Sequence, residues 1–286
     1  MRVLITGAGG QVGLDLMEVF STASAGASDR AVVVGTDHRR LDVSDRDAVH
    51  EAFRCVGPDL VIHAAAWTAV DACEGDPDRA FLVNSLGTRH VAEAARGCRA
   101  HLCYISTDYV FDGRAGQPYK EWDTPNPLSV YGRCKLGGEM ELDPGSTIVR
   151  TSWVCGLHGN NMVKTVLGMA KQEGPLRFVD DQHGCPTFSS DLAVALRGLA
   201  MDRRPGIFHV TNQGPTTWFK LARAVLGAAG ADPSRVEPMR TSELSPPRPA
   251  PRPAYSVLDN AALRLGGLPL LPDWHESLER LVGELR

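Results

Sequence analysis

The stretch Thr6–Gly13, TGAGGQVG, decides the fold. It follows a short β-rich run, Arg2–Thr6 (RVLIT). It precedes Leu14, Leu16, Met17, Val19 and Phe20, which recur at helical spacing. A strand, a glycine-rich turn and a helix in that order open a dinucleotide-binding βαβ unit. In this spacing Gly7 permits the tight turn, Gly10 lets backbone approach a pyrophosphate, and Gly13 lets the helix lie close to the strand. The helix N-terminus adds free N–H groups and the positive end of a dipole.

Outward from that turn, short apolar runs alternate with helical patterns. Ala31–Gly35, Asp59–His63, His101–Ile105 and Ser146–Thr151 read as further strands. The segments 45–53, with Ser44 as its N-cap, 78–95 and 129–140 read as helices, and 21–29 (STASAGASD) reads as a flexible surface loop. Such alternation predicts an α/β fold, a Rossmann doubly wound parallel sheet covered on both faces. Beyond about residue 152 the chain is richer in Gly and Pro, with helical pieces at 162–172, 191–201 and 219–227. A Rossmann domain over 1–152 and a smaller C-terminal substrate-binding lobe over 153–286, partly interleaved with it, are expected. The Pro-rich 245–253 (SPPRPAPRP) reads as a packed connector rather than a polyproline ligand.

Bulk properties remove several classes. With 286 residues, 43% hydrophobic and 22% charged, the chain can bury a full core without staples. A net charge of −4 and the lack of a basic stripe argue against nucleic acid as a partner. No apolar run approaches the ~20 residues of a membrane helix, so no membrane association is expected. The N-terminus, MRVLITGAGG, does not read as a signal peptide. Seven cysteines without Cys-x-x-Cys spacing suit reduced thiols in a cytoplasmic protein and indicate no metal site.

At the end of the second strand, Asp37 is placed to take the adenosine ribose hydroxyls, as in NAD enzymes. His38, Arg39 and Arg40 are placed to take the extra phosphate of NADP. Mixed or NADPH-leaning use follows. Asp37 lies farther from the glycines than the usual ~20 residues, an excess assigned to the 21–29 loop. Asp42 and Val43 stand where an adenine is held. Ala64, Ala65 and Ala66, after the third strand, let a cofactor lie against backbone.

Tyr131 and Lys135 are four apart on a helix and share a face. A tyrosine with an ordinary pKa of ~10 is a poor acid near neutrality, and a neighbouring ammonium lowers it. Tyr131 is then placed to donate a proton to a carbonyl oxygen as hydride reaches carbon. His63 and His183 read as structural, His183 as an exposed loop residue. Trp153 reads equally as a pocket wall or a core aromatic. Asn160 and Asn161 read as a helix cap or a diphosphate contact.

These motifs together resemble the dTDP-4-dehydrorhamnose reductase family of the extended short-chain dehydrogenase/reductase superfamily. GAGGQVG, STDYVFDG, NPLSVYGRCKLGGE, RTSWV, HGNNMVKT, DDQHGCPT and RPAPRPAYSVLD stand in the family's order and cover nearly the whole chain. The resemblance implies NADPH- or NADH-dependent reduction of the C4 ketone of dTDP-4-dehydro-β-L-rhamnose in the cytoplasm. It implies Tyr131, Lys135 and Thr107 as the catalytic group. It adds Gln11 and Val12 to a cofactor shell that also holds Gly7, Gly10, Gly13, Asp37, His38, Arg39, Asp42, Val43, Ala64, Ala65, Ala66, Tyr131 and Lys135. Thr107, Asp108, Tyr109 and Trp153 would touch the sugar. Some relatives form magnesium-linked dimers, so a homodimer and Mg2+ are implied by the resemblance alone. Where the family commonly has Tyr after RTSWV, this chain has Cys155, a position expected to border the pocket.

Three alternatives remain at this stage. One is a 4-ketoreductase acting on another dTDP-deoxysugar. Another is a nucleotide-sugar epimerase; a dehydratase is disfavoured, because Tyr109 stands where those enzymes carry Glu. The third is a non-catalytic, cofactor-binding regulatory subunit.

Overall fold

The computed structural model describes residues 1–24 and 31–286. Its main sheet has six strands: β1 (Arg2–Thr6), β2 (Val32–Thr36), β3 (Leu60–His63), β4 (His101–Thr107), β5 (Thr147–Thr151) and a later one, Gly206–His209. The spatial order is Gly206–His209, β5, β4, β3, β1, β2, and every pairing is parallel. The sheet's sixth strand thus comes from far down the chain.

Alternation along each strand sorts side chains to two faces. Val3, Ile5 and Ile62 meet Leu16 and Phe20 of α1 (Gln11–Ser24) on one face. Leu192 and Leu196, from a helix spanning Ser189–Met201, join the same cluster. On the other face Leu4, Val61 and Leu102 meet Val49 and Phe53 of α2 (Arg46–Val56). Three helical pieces follow β3: α3 (Val70–Gly75), α4 (Pro77–Phe81) and α5 (Gly87–Cys98). Leu82–Leu86 joins the last two as a turn of π-helix. After β4 comes α6 (Val130–Glu139). A separate apolar cluster gathers Val163, Val166, Leu176, Leu221, Val225 and Leu278 from the second half of the chain.

Several local expectations shift. Asp45, not Ser44, caps α2, accepting the Ala48 N–H at 3.0 Å, while Ser44 bonds back to Asp42. Residues 21–24 continue α1 instead of forming a loop, and the rest of that expected loop lies outside the described residues. β4 runs two residues past Ile105, which makes Thr107 its last residue. The helix expected over 162–172 ends at Ala170. His183 is half-buried in a two-residue strand paired to Thr216–Thr217, rather than an exposed loop residue.

Candidate active site

The parallel register brings strand ends to one level: Thr6 lies beside His63, and Thr107 beside Thr151. Ligands of open α/β sheets bind outside these carboxyl ends. A cleft of about 440 Å³ opens there, lined from both halves of the chain.

One end of the cleft is backbone. Gly7 has φ +71, and a Cβ on it would stand 2.6 Å from the Ala65 nitrogen. A Cβ on Gly13 would stand 2.2 Å from the Gly7 carbonyl. Both contacts are with main chain, so neither neighbour can yield. Gly10 and Val12 face the cleft, as do Ala64 and Ala66, whereas Ala65 serves the packing against Gly7. Gln11 does more than line the site. Its Nε2 donates to the Val154 carbonyl at 3.1 Å, and its Oε1 accepts from Asn161 at 2.8 Å. Asn161 also caps the helix Met162–Ala170. A bare turn opening onto the N-terminus of α1 fits the pyrophosphate of a dinucleotide.

Asp37, His38, Arg39, Asp42 and Val43 lie outside this cleft, beyond the end of β2. Asp37 packs beside Gly9, and its carboxylate accepts the N–H groups of Arg39 and Arg40 at 3.0 and 3.1 Å. Those bonds hold its pKa below the ordinary value. His38 and Arg39 are exposed. The Asp42 carboxylate closes its own turn onto Ser44, while Val43 is buried against Gly87.

The other end of the cleft is side chains. Ser129 caps α6 by accepting the Gly132 N–H at 3.1 Å. A Cβ on Gly132 would stand 2.2 Å from the Tyr109 carbonyl, so glycine there lets α6 settle onto the segment after β4. That approach brings the Tyr131 phenol to the cleft wall that Thr107 also lines. Burial pushes the phenol well above its ordinary pKa, and the Thr107 hydroxyl pulls it partly back. The expectation that Lys135 sets this pKa is not met. Its Nζ donates to the Ile105 carbonyl at 2.7 Å and lies 4.0 Å from the Tyr104 ring centroid. Burial lowers the ammonium to about 8.

Thr107 Oγ1 donates to Asp108 Oδ1 at 3.1 Å and accepts the Tyr109 N–H at 3.2 Å. Tyr109 meets Tyr131 edge to face at 5.9 Å. Trp153 lines the cleft with φ +47 and stacks on Trp218, ring centroids 3.6 Å apart. It is partly buried, walls the cleft and packs against the second apolar cluster, so both readings hold in part. Cys155 is buried in the second apolar cluster and does not border the cleft. His63 is fully buried between Thr6 and Thr88, as a structural residue should be.

Other participants carried no local signal. Trp218 is known as a wall only from its stack. Asn84, in the π-turn, holds the Trp67 backbone through both its N–H and its carbonyl, at 2.8 and 3.0 Å. Arg252, from the Pro-rich connector, pairs with Asp71 at 2.5 and 2.8 Å and reaches Tyr109. Beneath the site Glu139 accepts from Ser106 at 2.5 Å and from Arg150 at 2.9 and 2.6 Å. Arg248 aside, the motif RPAPRP thus packs as a connector, with Ala250 and Arg252 both tied to Asp71.

A Rossmann sheet with a bare first turn, faced by a Tyr–Lys helix and a threonine-ended strand, defines the extended short-chain dehydrogenase/reductase class. Residues 1–286 match the family model described as RmlD substrate binding domain. The chain is 41% identical to a dTDP-4-dehydrorhamnose reductase of Streptomyces griseus, over 97% of this chain and 91% of that one. It is also 41% identical to a probable dTDP-4,6-dihydroxy-2-methyloxan-3-one 4-ketoreductase of Streptomyces antibioticus, over 100% and 96%. A crystal structure of dTDP-4-dehydrorhamnose reductase from Bacillus anthracis in complex with NADP superposes with a TM-score of 0.92, at 37% identity over 99% of each chain. The chain belongs to the dTDP-4-dehydrorhamnose reductase family.

Proposed function

We propose that this protein reduces the C4 ketone of dTDP-4-dehydro-β-L-rhamnose to dTDP-β-L-rhamnose, with NADPH or NADH as reductant. One observation carries the reading: the bare glycine turn and the Tyr131–Thr107 pair face a single cleft. When bound, the reduced nicotinamide supplies the hydride. Tyr131, kept protonated by burial, holds the proton for the ketone oxygen. Thr107 orients that oxygen by a hydrogen bond. Lys135 fixes α6 to β4 through the Ile105 carbonyl and presents its charge behind the site. Asp108, Tyr109, Trp153 and its stacked partner Trp218 form the sugar wall.

In this reading residues 1–152 hold the cofactor and 153–286 mainly shape the substrate lobe. The strand Gly206–His209 and the helix Ser189–Met201 interleave the two. The test is incubation with dTDP-4-dehydro-L-rhamnose and each reduced nicotinamide, with the product identified by NMR. Tyr131→Phe should bind cofactor normally and lose roughly 10²–10⁴-fold in kcat. Near-normal turnover in that variant sinks the assignment.

The Streptomyces antibioticus relative supports a second reading, a 4-ketoreductase of another dTDP-deoxysugar. Competing dTDP-4-keto sugars in the same assay separate the two. A cytoplasmic homodimer is also proposed. Among the described residues no helix is long and apolar enough to cross a membrane, and no group of three His, Cys, Asp or Glu could hold a metal ion. Light scattering with and without a chelator tests the dimer and any dependence on Mg2+.

A further inference from the structure

A cavity distinct from the cleft opens at the opposite edge of the sheet. It measures about 320 Å³ and is lined by Arg96, Arg99, His101, Asp143, Ser146 and Arg203. His101 opens β4, and Thr107, at the far end of that strand, lines the cleft. The length of the strand puts about 20 Å between them. Arg99 and Arg203 reach the cavity in the same way. Arg99 follows α5 with φ +56, its N–H closing onto the Arg96 carbonyl and that of Ala100 onto Ala95. Arg203 follows the helix Ser189–Met201 with φ +50, its N–H closing onto the Ala200 carbonyl and that of Arg204 onto Leu199. Glycine is the usual residue in such a left-handed closure, and an L side chain there is strained.

We propose that this cavity is a second ligand site, which takes the phosphoryl group of a small phosphorylated molecule between Arg99 and Arg203. Arg96 is held by Asp143 at 2.9 Å. Arg99 and Arg203 have no carboxylate partner among the described residues. In a chain of net charge −4, two guanidiniums on one cavity therefore stand unopposed. Each presents a planar fork of donors that matches phosphate oxygens, and the two together match the charge of a phosphate dianion better than that of a carboxylate. The assignment does not rest on the ketoreductase reading, since the cavity shares no residue with the cleft.

A helix C-terminus favours a cation in any case. α5 already carries Arg96 in its last turn, so Arg99 is surplus to that need. Nor does the preference bring two left-handed arginines to one cavity. His101 supplies a reporter. Its half-buried ring bonds the Thr147 hydroxyl through Nε2 at 2.8 Å. Thr147 gives its own proton to the Arg204 carbonyl, so His101 Nε2 is the donor. Burial lowers the imidazole pKa, and the Arg203 charge lowers it further. An anion seated against Arg203 shields that charge and lets the His101 pKa rise.

The test is titration with inorganic phosphate, at an ionic strength held constant with chloride, of the wild type and the double variant Arg99→Asn/Arg203→Asn. Binding is read by calorimetry and by the NMR resonances of the His101 ring. Asparagine tolerates left-handed backbone, so the variant should unfold at an unchanged or higher denaturant midpoint. The wild type should bind phosphate and shift the His101 titration to higher pH. The double variant should bind on the order of 10²-fold more weakly and leave His101 unmoved. Arg203→Asn alone gives the same readout at about tenfold, with the end of α5 left intact. An affinity that survives the double substitution, as phosphate held at the glycine turn would, overturns the proposal. So does wild-type binding that disappears in ~0.15 M chloride, the mark of a diffuse surface field. Glucose 1-phosphate in the same titration identifies the source: tighter binding than inorganic phosphate assigns a phosphate ester, and equal binding assigns free phosphate.

Discussion

The two ends of the cleft are built by different means. At the nucleotide end, Gly7, Gly10 and Gly13 act through what they lack, and their contacts are with main chain a few residues away or just past the end of β3. At the ketone end, Thr107, Asp108, Tyr131, Trp153 and Ser256 act through side chains supplied by four separate stretches of chain. The first end needs a local turn and one neighbouring strand. The second needs the whole fold to be correct. Buried polar groups raise the stakes there, because each must find its partner or cost the site its stability.

Glu139 gives the largest way to break that contrast. It sits one turn beyond Lys135 and joins Ser106 to Arg150, with the ion pair almost wholly buried. Glu139→Ala leaves the Arg150 charge buried without its carboxylate, which should cost about 3–5 kcal/mol, read by chemical denaturation. Replacing both partners with apolar residues should recover most of that loss, since the charge then disappears with its pair.

Gly7→Ala attacks the other end. Its positive φ and the 2.6 Å approach to Ala65 forbid the new methyl without a backbone shift. A loss of about 2–3 kcal/mol should accompany weaker NADPH binding, measured by fluorescence titration. Unchanged cofactor affinity would mean that the turn does not hold the pyrophosphate.

Acid stability sharpens the contrast further. Burial holds His63 and His209 near 3, so the fold keeps both neutral. As pH falls below 6.5, the unfolded chain takes up two protons that the fold refuses, and stability is lost. Asp108, raised by burial to about 7, acts oppositely: between pH 7 and 4 the fold keeps a proton that the unfolded chain releases. For these three groups the net is one proton taken up on unfolding, or about 1.4 kcal/mol lost per pH unit between roughly pH 6 and 4, and His101, also lowered by burial, adds in the same direction. Asp108→Asn should steepen that slope in a pH series of denaturation midpoints.

The smallest effect is expected at the connector. Arg252 is nearly buried and bidentate on a half-exposed Asp71, so Arg252→Ala should cost about 1 kcal/mol. Its kinetic mark should be a higher KM for the sugar with little change in kcat, because Tyr109 loses its anchor and Tyr131 does not.

The parallel sheet, the glycine turn and the Tyr131–Lys135 spacing were legible in the residues alone. Each is a periodicity or a short-range constraint, which sequence order carries directly. His63 was readable as structural for the same reason: it ends a buried strand. Cys155 was not readable, because a two-residue strand turns it into the second core and leaves Val154 and Trp153 at the cleft. Nor could the sequence reveal the actual partners of Lys135, the seat of Trp218 against Trp153, or the Ser256 bond to Asp108. Those depend on segments up to 148 residues apart being packed against one another. Which groups titrate near neutrality was likewise settled by burial, a property of the folded molecule. The chain's order determined that there is a dinucleotide turn and a tyrosine to face it; tertiary packing decided which side chains surround the tyrosine and so where its proton is held.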